Sequence, residues 1–321
     1  MVMPPEDAGL TNNDIDSSFS VVEASFAEMQ TAMAAGRTTS RLIVQQYLDR
    51  IGRYEETLHA TLALSESALT QADALDRERA AGKVRGPLHG IPVALKDNIH
   101  TIDMPTTGGA LAFKGYTPPY EATLVQNLRA AGAIIIAKTT LTELANWVAT
   151  GMPNSYNAIR GYGYNPYDPR RDPRANFNDG RGVMDTGGSR SGIGTAANFW
   201  AANVGTETSG SIASPANNNM LTSIKPTVGR VSRHGIIPIT ADQDTAGPMG
   251  KTVADVAALL GAMESRDEND PATGICDTPA DGDYSAHLRA DGLAGARIGI
   301  PRAFFYEPVT PPGTDAARGG L

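Results

Sequence analysis

The chain has 321 residues, with 27 Lys+Arg against 35 Asp+Glu for a formal net charge of −8, and 41% hydrophobic against 19% charged residues; that is enough apolar material for a sizeable core, which excludes a disordered chain. Its 34 Gly and 21 Pro make it loop-rich, yet below the roughly 25–30% Gly and Pro of low-complexity chains. The acidic balance argues against nucleic acid and anionic membrane as partners, because both select clustered Lys and Arg.

The N-terminal stretch MVMPPEDAGLTNNDIDSS is polar, and residues 1–20 are expected to be flexible. It shows no basic segment followed by an apolar one, and the chain contains no apolar run of about 18 residues; a cytoplasmic protein without membrane spans is expected. From Thr39, the spacing of Leu42, Ile43, Tyr47, Leu48 and Ile51 predicts a helix, with Thr38, Thr39 or Ser40 as its N-cap. A second amphipathic helix is predicted over 65–82 and ends at Gly82. In PLHGIPVALKDNIH, residues Ile91–Leu95 read as a short buried strand that delivers Lys96 and Asp97 at its C-terminal end. Residues 122–132 then predict a helix feeding the β-branched strand 133–139, the pattern of a parallel sheet. A helix is predicted over 140–147.

Between Gly151 and Gly188 the chain is rich in Gly, Pro, Asn, Asp and Tyr without a sustained period. A segment of that length is expected to be functional or covering. Tyr162, Tyr164 and Tyr167 within it either contact an aryl or peptidyl substrate or pack on the surface. Further on, a helix is predicted around 195–203, a Gly/Ser turn at 207–216, a strand at 221–226, a helix at 252–263 and one more strand at 296–301. The tail after 305 carries no core pattern and is expected to be disordered.

Several familiar signatures fail on inspection. AGPMGKT (246–252) resembles the end of a phosphate-binding loop, but Thr245 stands where its first Gly is required. The nucleophile elbow G-x-S-x-G would need Gly at 191, which is Ser. Neither H-E-x-x-H nor C-x-x-C nor a dinucleotide fingerprint occurs, so no metal and no cofactor are expected. The lone Cys276 lies in an acidic stretch without basic neighbours and reads as a bystander. His89 and His100 flank the strand carrying Lys96 and read as structural histidines. What remains is two Ser/Gly concentrations, GGSRSG (187–192) and TSGSIASP (208–215), together with a lysine on a buried strand. A serine nucleophile without a histidine needs another base, and a neutral lysine can supply it.

GPLHGIPVALKDNI (86–99), GGSRSG (187–192) and the run from GTETSGSIASPA through GPMGKTVADVA (205–257) closely resemble the amidase signature family of Ser–cisSer–Lys amide hydrolases. The resemblance spans about residues 35–305. It implies an α/β fold with a central mixed, largely parallel β-sheet covered by helices on both faces, here as a single domain over 21–305 followed by a tail at 306–321. By position it implies Lys96 as catalytic base, Ser189 as the bridging serine on a cis peptide, and Ser211 as nucleophile. Backbone N–H groups of Thr208, Ser209, Gly210 and Ser211 are then the implied oxyanion hole. The implied reaction converts a small carboxamide to a carboxylic acid and ammonia or an amine through an acyl-enzyme, without metal or cofactor. A homodimer stays open.

The chain departs from the family pattern in three ways. Arg190 replaces a second serine after the bridging one, and a guanidinium there would lower the Lys96 pKa or crowd the relay. The spacing to GTETSGS is about two residues short, which leaves Ser191 as the alternative bridge. Family members also extend beyond residue 321, so the C-terminal part of the fold is expected to be missing. The competing functions are a catalytically silent binding remnant and the glutaminase subunit of a tRNA-dependent amidotransferase, which would need partner subunits.

Overall fold

The structure, a computed structural model, describes residues 19–187, 190–275, 283–303 and 305–317. The chain divides into a large unit, Met1–Ser285, and a small one, Ala286–Leu321. Cys276 and most of the expected flexible N-terminus lie outside the described residues.

The large unit opens with α1 (Phe26–Ala34), which sequence periodicity did not reveal. Its start is set by a capping box in which Ser25 accepts from the Glu28 N–H and the Glu28 carboxylate accepts from the Ser25 N–H at 2.8 Å. Helix α2 (Ser40–Leu58) is capped by Thr39 as predicted, and buries Ile43, Val44, Tyr47, Ile51 and Leu58. It leads into β1 (Thr61–Leu64), α3 (Ala68–Ala80), β2 (Pro92–Lys96), α4 (Thr123–Ala130) and β3 (Ile134–Thr139). Every residue of β2 and β3 is buried, as expected for strands covered on both faces.

Residues 140–147 do not form the predicted helix. Only a single 3₁₀ turn occurs, at Glu143–Asn146, and Leu144 and Ala145 adopt left-handed φ of 42° and 57°. Tertiary bonds override local propensity here: the Leu144 N–H donates to the Gly108 carbonyl at 2.7 Å, and Glu143 accepts from the Ala158 N–H at 2.8 Å. The segment 151–187 carries a small hairpin, β4 (Tyr156–Asn157) with β5 (Gly161–Tyr162), and a bridge between Arg171 and Gly182. Three Asp-x-Arg units, Asp168/Arg170, Asp172/Arg174 and Asp179/Arg181, each close an ion pair on themselves. Tyr162 and Tyr164 are buried, their hydroxyls donating to Asp179 and to the Gly180 carbonyl, whereas Tyr167 is exposed.

The helix expected around 195–203 is displaced toward the N-terminus. Helix α5 (Gly192–Ala196) ends in a Schellman turn in which left-handed Asn198 (φ 56°) lets the Phe199 N–H reach the Gly194 carbonyl at 2.8 Å. The chain is thereby freed to start β6 (Ala202–Glu207). After α6 (Ala213–Asn218) and the two-residue β7 (Thr222–Ser223) comes β8 (Thr245–Gly250), then α7 (Val253–Met263). Strands β6 and β8 escape a sequence reading because ANVGTE and TAGPMG are rich in Gly, Pro and small residues, which propensity disfavours in strands. That β8 absorbs the phosphate-loop look-alike agrees with its rejection.

The six-stranded sheet has the order β1-β3-β2-β6-β8-β7. Its centre, β3-β2-β6, is parallel; β1 is antiparallel to β3, and β8 is inserted between β6 and β7, antiparallel to both. The sheet is thus mixed as expected, with the parallel pairing confined to the three strands that carry the lysine and the turn after β6. In the small unit no strand forms at 296–301; its described residues show turns and isolated bridge positions, among them Ala303 with Glu307.

Candidate active site

Lys96 is the last residue of β2 and is completely buried. Its Nζ donates to the carbonyl oxygen of Thr206 at 3.1 Å and to Thr206 Oγ1 at 2.8 Å, both on the neighbouring strand β6. Asn98 Nδ2 donates to the same Thr206 hydroxyl oxygen at 3.0 Å. Burial pulls the Lys96 pKa down to about 7, against the opposing pull of the negative charges on Asp244 and Glu207. A lysine held in this way is available as a base near neutral pH.

Behind it stands a second buried lysine. Lys138 of β3 pairs with Asp97 at 3.1 Å and donates to Thr106 Oγ1 at 2.7 Å and the Pro105 carbonyl at 3.0 Å. Asp97 in turn accepts from the Thr107 N–H at 3.0 Å and from the Thr107 hydroxyl.

Strand β6 ends at Glu207, and the turn 208–212 follows. The Glu207 carboxylate accepts from the N–H groups of Ile212 at 2.7 Å and Ala213 at 2.9 Å. Burial raises its pKa, but those donors, the Gly210 N–H and the Lys225 charge outweigh burial and leave it lowered. Lys225 spans the turn, 3.5 Å from Glu207 and donating to the Thr208 carbonyl at 3.0 Å. The Thr208 hydroxyl donates to Asp244, whose other oxygen accepts from the Ile239 and Thr240 N–H groups. Gly210 adopts φ +93° in open space, so the backbone path rather than crowding requires glycine there. Half-buried Ser211 lies at the end of this braced turn.

Ser189 lies outside the described residues, but the chain on either side of it is held close to the turn. A Cβ on Gly187 (φ +77°) would stand 2.4 Å from Pro215 N, and one on Gly192 would stand 2.9 Å from the Pro215 carbonyl oxygen. Both flanks therefore press on the first turn of α6, four residues past Ser211. Gly187→Ala is expected to cost about 2–4 kcal/mol, from left-handed strain plus overpacking against backbone; urea unfolding of the variant measures it. Ser191, the alternative bridge, is buried, with its Oγ 3.3 Å from where a Cβ on Gly205 would stand.

Arg190 is directed to backbone carbonyls. Its buried guanidinium donates to the carbonyls of Gly161 at 2.9 Å and Leu141 at 2.8 Å, tying the 151–187 segment to the core. Burial depresses its pKa to about 9.

His89 and His100, read as structural from the sequence, are held by their neighbours. His89 Nε2 lies 3.0 Å from the Leu75 carbonyl oxygen, and His100 and His234 flank the Tyr120 ring. Among the described residues no cluster of His, Cys, Asp or Glu could hold a metal ion, and no helix is long and apolar enough to cross a membrane. A cavity of about 210 Å³ adjoins the site, its lining including Asn98, Thr206, Thr208, Asp244, His234 and Ile237. Sequence reasoning passed over Thr206, Asn98, Glu207 and Asp244. The first three could have been sought, since they sit within two residues of Lys96 or Thr208; Asp244 carried no local signal.

A mixed α/β sheet with a depressed-pKa lysine at a strand end and a braced Gly/Ser turn on the next strand defines the class of this protein. The chain belongs to the amidase family, whose model, described as Amidase, matches residues 42–318. It is 40% identical over 290 residues to a glutamyl-tRNA(Gln) amidotransferase subunit of Chloroflexus aurantiacus, covering 90% of this chain and 55% of that protein. Among solved structures, the peptide amidase of Stenotrophomonas maltophilia superposes with a TM-score of 0.77 at 42% identity, covering 88% of this chain and 55% of that one. An amidase family protein of Bacillus anthracis gives 0.79 at 36% identity, covering 85% and 53%. The chain spans about half the length of the relatives it matches.

Proposed function

We propose that this chain carries the catalytic motif set of a serine hydrolase acting on small carboxamides, with Lys96 as base, Ser189 as bridging serine and Ser211 as nucleophile. The observation that carries the reading is Lys96: a buried amine with a pKa of about 7, hydrogen-bonded to the strand that leads into the Ser211 turn. Ser211 Oγ forms a bond to the amide carbon while its proton passes through Ser189 to Lys96. The developing oxyanion is met by backbone N–H groups of the 208–211 turn. In the conformation described, the Gly210 N–H serves Glu207. Protonated Lys96 returns its proton, again through Ser189, to the leaving nitrogen as the C–N bond breaks. Water then adds to the acyl-enzyme and releases the acid. Residues of this chain supply every group in the scheme, and the substrate is a small-molecule amide.

Ser211→Ala is expected to lower ammonia release from aliphatic and aryl amides by about 10³-fold or more, and to abolish labelling by a fluorophosphonate. Equal rates in the two proteins sink the proposal in favour of a catalytically silent remnant. The similarity to an amidotransferase component favours one second reading, glutamine as the amide donated. Ammonia release from glutamine that exceeds release from simple amides would select it.

A further inference from the structure

We propose that Thr206 is a positioning residue that aims the Lys96 lone pair. The inference rests on the hydrolase reading above and extends it to a residue outside the Ser–Ser–Lys set. An uncharged amine has two N–H bonds and one lone pair, arranged tetrahedrally. Lys96 Nζ meets two oxygens of one residue, the Thr206 carbonyl at 3.1 Å and the Thr206 hydroxyl at 2.8 Å. The carbonyl can only accept. The hydroxyl oxygen has two lone pairs; one receives the Asn98 Nδ2 proton at 3.0 Å, and the other receives Lys96. Both N–H bonds of neutral Lys96 are thus committed to Thr206, and the lone pair is left in the one remaining tetrahedral direction. A base whose lone pair is fixed before the nucleophile arrives avoids a reorientation at the moment of proton transfer.

The setting makes the device dependent on Thr206. From β3, the Lys138 charge is taken up by Asp97; from the chain just before α5, Arg190 donates from its two terminal nitrogens to the Gly161 and Leu141 carbonyls. The remaining charged groups that act on Lys96 are Glu207 at the end of β6 and Asp244 just before β8. Their carboxylates are engaged by the N–H groups of Ile212, Ala213, Ile239 and Thr240. Among the described residues no hydrogen bond joins either of them to Lys96 Nζ, so they set the local field without holding the amine's orientation.

Thr206→Val removes the hydroxyl acceptor and keeps the shape; Thr206→Ser keeps the acceptor and removes the methyl. The rate of fluorophosphonate labelling of Ser211 against pH reads the base without a substrate. For Thr206→Val its plateau is expected to fall about 10–100-fold. Its midpoint should move down by about one pH unit, because the ammonium loses an acceptor. Thr206→Ser should restore both. A folded Thr206→Val protein with the wild-type plateau and midpoint overturns the assignment, as does a Thr206→Ser protein as impaired as the valine variant. Titration of the Lys96 ¹³Cε resonance, assigned by its loss in Lys96→Met, gives the midpoint independently of activity. If the wild type does not label at Ser211, the hydrolase reading falls, and the tether stands or falls on whether Thr206→Val alone lowers that midpoint.

Discussion

Replacing Lys96 by methionine should abolish labelling of Ser211 while leaving the fold as stable at neutral pH as the wild type, or more stable. Both halves follow from one contrast: the amine is buried, and its pKa stands at about 7 rather than at its ordinary value of 10.5. A difference of that size corresponds to folding against a penalty on the order of 4–5 kcal/mol below pH 7. Between about pH 7 and 10.5 the unfolded chain binds the proton that the folded chain has lost, so for this depressed base stability rises with pH across that window. Methionine carries no proton in either state and escapes the penalty, at the cost of the two hydrogen bonds that Lys96 gives Thr206, about 1–3 kcal/mol. Urea unfolding at pH 6, 8 and 10 should show the variant's relative advantage shrinking as pH rises. Wild-type labelling should rise through pH 7 to a plateau. A constant stability difference, or wild-type labelling that is flat from pH 6 to 9, contradicts the assignment of Lys96 as a buried base.

The second large effect lies one residue on. Asp97 and Lys138 are both fully buried and 3.1 Å apart. Burial pushes the aspartate pKa up and the lysine pKa down, so each is held charged chiefly by the other and by the threonines around them. Asp97→Asn keeps an oxygen for the Thr107 N–H and hydroxyl but removes the charge. Lys138 is then a buried cation without its anion, and the expected cost is about 3–5 kcal/mol. Because the loss arises from the stranded partner, Asp97→Asn combined with Lys138→Met should recover most of it. Chemical denaturation of the four proteins completes the cycle. Strictly additive losses would mean that the pair acts as two independent groups, which the 3.1 Å separation argues against.

Helices α2, α3, α4 and α7 and strands β2 and β3 were legible in the sequence because their apolar residues recur at the period of the element, and their ends carry Thr caps or Gly stops. Where a contact distant in sequence decides the backbone, the local pattern misled. Residues 140–147 look helical, but Gly108 and Ala158 hold their backbone groups in another path. Strands β6 and β8 look like loops, yet pair along six residues each because the sheet buries both their faces.

The candidate site divides in the same way. By itself the amino-acid sequence determined the family, the strand that ends in Lys96 and the two Ser/Gly segments, since long motifs and short-range periodicity survive without coordinates. Only the tertiary structure decided that Lys96 meets Thr206 and lies in the field of Glu207 and Asp244, and that Arg190 reaches away to Leu141 and Gly161. It likewise decided that Lys138 and Asp97 form a sealed pair. The reason is that desolvation and hydrogen-bond partnership depend on which groups the fold gathers around an atom, and Lys96 and Thr206 stand 110 residues apart in the chain.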